Sequence, residues 1–140
     1  MTKTIVQKVV FKNTTPKDLY ELYMDAKKHS IATGAPAEIS AKAGSAFSAH
    51  GGYIKGKNLQ LVKNELIVQS WRGQDWDANA CDSTFIIKLE PKGNNVTLRA
   101  IHANVPKKHA DGIAKGWFSH YWEPWQKYLD GKPIAKSIEM

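Results

Sequence analysis

Cysteine is almost missing from this sequence. Cys81 stands alone among 140 residues, so no internal disulfide can form and the zinc sets built on several thiolates are excluded. Long apolar runs are missing too. Nothing approaches the roughly 18 consecutive apolar residues of a membrane-spanning helix. The N-terminal MTKTIVQKVVF is broken by Lys3, Gln7 and Lys8, unlike the apolar core of a secretory signal. The expected location is therefore cytoplasmic. Basic blocks are also scarce: Lys3, Lys8, Lys12, Lys17, Lys42, Lys55 and Lys63 are scattered, and only pairs such as Lys107 and Lys108 adjoin. The net charge of +7 then reads as a solvated lysine surface, with an acidic partner as the lesser option and no nucleic-acid arm.

Catalytic signatures are equally thin. GxGxxG and GxxxxGK[ST] are missing, and Gly51-Gly52 is too short to cradle a phosphate. The five histidines include no HExxH pair. Cys81, beside Asp82, has no evident base to activate it. Neither a catalytic residue nor a metal or cofactor is expected.

What is present is an orderly run of elements. Thr4 to Lys12 alternates with β-branched residues and reads as a strand. Thr15-Pro16 then offers an N-cap and a first helical position, followed by Leu19, Leu22, Tyr23 and Ala26 at helical spacing. Lys27, Lys28 and His29 fall near the expected end of that helix. Further strands are expected around 38–41, 44–48, 53–61, 65–72, 83–90 and 95–104, the last two joined by a hairpin turn at Pro91–Asn94. A final helix is expected from about Asp111 to Leu129, where Gly131 and Pro133 end it. Its face of Ile113, Trp117, Tyr121, Pro124, Trp125 and Tyr128 is unusually aromatic, and Pro124 should kink it or free one carbonyl. Consecutive strands in hairpins, with helices on one face, define an α+β fold. The expectation is a curved antiparallel sheet of about six or seven strands around a long C-terminal helix, with short helices after the first strand. Residues 1–132 are expected to form one domain and 133–140 a disordered tail.

These residues also carry a resemblance. Ile67-Val-Gln-Ser-Trp-Arg72, Trp76, the strand Ser83-Thr-Phe-Ile-Ile-Lys-Leu89, the strand ending at Val105-Pro106, Gly116-Trp117 and Tyr121-Trp122 together resemble the C-terminal domain of the activator of heat-shock-protein-90 ATPase. More broadly they are similar to the helix-grip superfamily of START and Bet v 1-like domains. The resemblance runs over nearly the whole chain. It implies the helix-grip fold, and either a hydrophobic-ligand role or a co-chaperone role. The N-terminal domain with which the eukaryotic activator clamps the chaperone has no counterpart in these 140 residues.

Strand alternation selects the candidate site. If Ile67 and Trp71 face the helix, Gln69 does too, with Phe85, Ile87 and Leu89 on the next strand and Val96, Leu98, Ala100 and His102 on the last. With Trp117 and Tyr121 these residues would line the space between sheet and helix, a setting for an apolar or amphipathic small molecule. Gln69 and His102 would be its polar contacts, or else core groups satisfied by the protein itself. Trp76 falls in the polar stretch 72–80, where an exposed tryptophan would act as a lid or a partner contact. The first expectation is a non-catalytic ligand-binding domain. The second is a co-chaperone of a heat-shock-protein-90-type chaperone. The third is a cyclase or isomerase using the same cavity, for which His102 and Tyr121 could be imagined as an acid–base pair, although nothing in the sequence favours that over packing.

Overall fold

A computed structural model describes residues 1–131; the tail expected at 133–140 lies outside them. Seven strands form one sheet: β1 (Thr2–Phe11), β2 (Ala37–Glu38), β3 (Ala46–Ala49), β4 (Ile54–Val62), β5 (Leu66–Gly73), β6 (Ser83–Lys92) and β7 (Asn95–Pro106). Their order is β1-β7-β6-β5-β4-β3-β2, every neighbouring pair antiparallel. From β2 to β7 the chain therefore meanders by hairpins, and β1 closes the far edge against β7.

The register carries the alternation across the sheet. Gln69 faces Phe85, Phe85 faces His102, and His102 faces Ile5. Ile67, Ile87 and Ala100 make a second inward row, and Leu89, Leu98 and Val9 a third. All of the inward positions expected on β5, β6 and β7 are buried. The β6–β7 strands run further than the turn residues suggested. Pro91 pairs with Val96 and Lys92 with Asn95, leaving only Gly93 and Asn94 in the turn, with Gly93 at φ 61°.

Between β1 and β2 the short helices expected after the first strand are two, and the break falls just before Ala26, the last residue of the apolar stripe read from the sequence. In α1 (Pro16–Met24) the Thr15 hydroxyl accepts from the Asp18 N–H, as its sequence position implied. The chain then breaks at Asp25, whose extended backbone ends α1 while its carboxylate accepts from the Lys28 N–H and starts α2 (Ala26–Thr33). His29 is thus not a solvated charge at a helix end but a buried side chain one turn into α2.

The C-terminal helix begins at Lys107, four residues before the Asp111 start expected from sequence. It consists of α3 (Lys107–Gly116), a π-helical segment (Trp117–Trp122) and α4 (Glu123–Leu129). Backbone angles stay helical through both junctions, so these pieces form one continuous helix over 107–129. In the π segment the Glu123 N–H reaches back five residues to the Phe118 carbonyl. Pro124, which lacks an N–H, follows at once, where the widened turn accommodates it without a break. The fold is the expected α+β helix grip.

Candidate functional site

Packing between sheet and helix starts from aromatic rings. Trp117 stacks on Phe85 with centroids 4.0 Å apart and planes 5° from parallel. Tyr121 and Trp122 flank Trp117, and Trp125 packs against Phe11, Tyr23 and Tyr121. The space foreseen for a ligand beside Phe85 and His102 is filled by these side chains.

The two polar candidates within that space are bonded to the protein. The Trp117 indole N–H donates to His102 Nδ1 at 3.1 Å. His102 Nε2–H then donates to Ser83 Oγ at 2.8 Å, and the Ser83 hydroxyl donates to the Trp71 carbonyl at 2.7 Å. This relay fixes one neutral tautomer, and burial holds the His102 pKa down to about 3. Gln69 pairs across β4 and β5 with Asn58, its amide N–H donating to Asn58 Oδ1 at 2.9 Å, while its carbonyl accepts from the Tyr23 hydroxyl at 2.8 Å. Asn58 in turn donates to the Ser40 and Lys42 carbonyls.

Tyr121 finds its partner on α2. Only the Tyr23 carbonyl lies at His29 Nδ1 (2.8 Å), so Nδ1 carries the proton, and Nε2 accepts from the Tyr121 hydroxyl at 2.9 Å. Burial lowers the His29 pKa to about 4 and raises that of Tyr121. The imagined acid–base couple of His102 and Tyr121 is therefore divided between two separate hydrogen-bond systems.

An open cleft of about 410 Å³ lies at the end of this core. Of the residues expected to line a cavity, Trp71, Trp117 and Tyr121 line this cleft, whereas Gln69, Phe85, Ile87 and His102 do not. Its other walls come from residues that strand alternation does not bring together. One is the turn after β3 with the start of β4, contributing His50, Tyr53 and Ile54; another is α3 and the π segment of the C-terminal helix, with Lys108, His109, Ile113 and His120. The signal was available, because His109, Ile113, Trp117 and His120 recur at three- and four-residue spacing. His50 and His120 face each other with ring centroids 5.3 Å apart. Burial, then His120 beside it, lowers the His50 pKa. Tyr53 donates to Asp75 at 2.6 Å, and burial followed by that carboxylate pushes its pKa up to about 12.

Trp76 differs from its expected exposure. It lies in the loop after β5, yet only 6% of its surface is exposed, because its ring packs on Trp71 (5.7 Å) and stacks with His109 (6.0 Å, 18°). Gly73 permits this: a Cβ there would fall 2.6 Å from Trp76 Nε1. Trp76 Nε1 and His109 Nε2 are buried without hydrogen-bond partners among the described residues. Among the described residues, no group of three or more His, Cys, Asp or Glu is placed to hold a metal ion, and no helix is long and apolar enough to cross a membrane.

A seven-stranded antiparallel sheet gripping an aromatic helix, with an open cleft at one end, defines a helix-grip domain. The profile of the family described as "Activator of Hsp90 ATPase homolog 1-like protein" matches residues 13–130, and the chain belongs to that family. Among curated relatives, the activator of 90 kDa heat shock protein ATPase homolog of Dictyostelium discoideum is 27% identical over 117 residues, 83% of this chain and 30% of the relative. The human homolog 1 is 26% identical over 110 residues, 79% of this chain and 32% of that protein. The chain thus spans about a third of the length of these relatives. Among solved structures, the Plasmodium falciparum protein PFC0360w, titled an HSP90 activator, superimposes with a TM-score of 0.81 at 24% identity, covering 93% of this chain and 97% of that one. CalU16 from Micromonospora echinospora superimposes at 0.79 with 14% identity, covering 99% and 81%. These likenesses show the shared fold.

Proposed function

We propose that this chain is a co-chaperone module that engages a heat-shock-protein-90-type chaperone through its surface. The observation that carries the reading is the filled interior. Trp117 lies flat on Phe85, and His102, Gln69 and Tyr121 bond to protein partners, so recognition falls to the outside of the domain. Family membership and the relatives, which are activators of the 90 kDa heat shock protein ATPase by name, support the same reading. The test is association with the full-length chaperone and the effect on its ATPase rate. Binding with a raised rate is the expected result; no association overturns the reading.

A second reading rests on the cleft. Its aromatic floor of Trp71, Trp117 and Tyr121, with Lys108 and the three histidines at its walls, suits an amphipathic small molecule carrying an acidic group. Unpaired buried polar atoms such as His109 Nε2 cost about 1–3 kcal/mol each, which a ligand group could recover. Native mass spectrometry of the freshly purified protein tests this. A reproducible added mass lost on denaturation, and lost again in His109→Leu, supports the cleft as a ligand site, and a bare mass removes its support. Neither reading assigns catalysis to the chain.

A further inference from the structure

The helices all pack on one face of the sheet, and the other face shows a pattern that neither reading of the interior uses. Pairing places Val6 opposite Ile101, Ile101 opposite Ile86, and Ile86 opposite Val68. Because their neighbours Ile5, His102, Phe85, Ile67 and Gln69 point inward, these four β-branched residues make one continuous outward row across four strands. Val6 is 71% exposed and Ile101 39%, and Val10 on β1 adds a further 49%. An isolated exposed valine needs no explanation, whereas an aligned apolar row on an uncovered sheet marks a contact surface.

The charge beside it is mainly positive. The adjacent outward row holds Lys8, Arg99 and Lys88 in register, and Lys57, Lys55 and Arg72 continue the outward face along β4 and β5. The acids there are already engaged: Glu90 with Arg99 at 2.8 Å, within the fields of Lys88 and Lys8, and Asp82 with Arg72 at 3.2 Å.

We propose that this outer sheet face is the docking surface for an acidic, apolar-edged segment of a protein partner. The proposal rests on the co-chaperone reading and names the face through which that partner is held. Complementarity selects the occupant. A second copy of this chain would set Lys8, Lys88 and Arg99 against their own kind. Nucleic acid would gain nothing from the Val6–Val68 row. The aromatic side chains that anchor a protein at a membrane surface are missing from the paired positions of this face, which hold no Trp, Tyr or Phe. A partner with aspartate or glutamate flanking aliphatic residues meets both rows at once.

The experiment is methyl NMR of the chain labelled at isoleucine and valine, titrated with unlabelled full-length heat-shock-protein-90-type chaperone. The expected result is broadening or shift of the Val6, Val68, Ile86 and Ile101 methyls, with Ile54 and Ile113 at the cleft unaffected. Val6→Glu combined with Lys88→Glu should weaken binding by about tenfold or more, while the inward Ile67 and Ile87 methyls keep their positions and report an intact fold. Binding that perturbs only the cleft methyls, with the double variant unimpaired, overturns the docking face and leaves the co-chaperone reading standing. No binding of the wild-type chain at about 100 µM chaperone overturns both. Shifts of the same outward methyls with phosphatidylserine–phosphatidylcholine vesicles but not with chaperone assign the face to a membrane surface and overturn the protein partner.

Discussion

His102 and His29 are buried bases whose partners require the neutral imidazole. His102 must accept from Trp117 at Nδ1, and His29 must accept from Tyr121 at Nε2. Burial lowers their pKa values to about 3 and about 4, against an unfolded value of 6.5. Between those limits the unfolded chain binds protons that the folded chain refuses. Stability is therefore fully present above pH 6.5 and is lost as pH falls toward the folded values. Urea unfolding at a series of pH values should show stability falling by about 2–3 kcal/mol per pH unit near pH 5, where both groups contribute. In His102→Gln the slope should drop by about one proton; an unchanged slope would mean that His102 is not held neutral. Tyr23→Phe removes the donor to Gln69 Oε1 and leaves that atom buried and short of a partner, a loss of about 1–3 kcal/mol in the same measurement. Sequence alternation identified Gln69 and His102 as inward polar groups. It could not name Asn58, Ser83 and Tyr23 as their partners, because those arrive from other strands and from α1.

At the scale of elements, Gly56 in β4 lies where two strands leave no room for a side chain. A Cβ built there lies 1.8 Å from the Ser70 carbonyl oxygen and 2.7 Å from the Phe47 ring, so backbone rather than a pliable side chain would have to move. Gly56→Ala should destabilise by about 3 kcal/mol or more, read as a lowered thermal midpoint. Asp25→Ala should cost about 1 kcal/mol through loss of the α2 cap, measured by urea unfolding. Both ends of the helical prediction erred for physical reasons. The α1–α2 break needs only Asp25 to cap locally, but what sustains it is the burial of His29 beneath Tyr121. The early start of α3 uses no side-chain cap; instead the Lys107 N–H donates to the Met1 carbonyl at 3.0 Å, a contact no local pattern records. The π segment likewise turns Trp122 inward, to donate to Gln7 at 2.8 Å, where a regular 3.6-residue period had left it off the buried face.

For the whole molecule, the +7 charge sets the terms of association. If the outer sheet face meets an acidic partner, exposed charges are screened over about 8–10 Å at physiological salt, and the association rate carries most of the effect. Raising sodium chloride from about 50 to 300 mM should slow association with the chaperone severalfold while changing dissociation little, as surface plasmon resonance would read. An association rate indifferent to salt would argue against the cationic row as the steering element.

The order of elements, the inward faces of β5, β6 and β7, and the aromatic stripe of the C-terminal helix were set by the sequence alone, because each follows from a local period of two or about 3.6 residues. So was the family, whose tryptophans lie on separate elements at legible spacing. The tertiary structure alone decided which aromatic ring fills the interior, which histidine meets which tyrosine, and why Trp76 is covered. It also brought Val6, Ile101, Ile86 and Val68 into one row. These depend on register and packing between residues far apart in the chain, and a local period carries no record of which strand or helix will stand opposite.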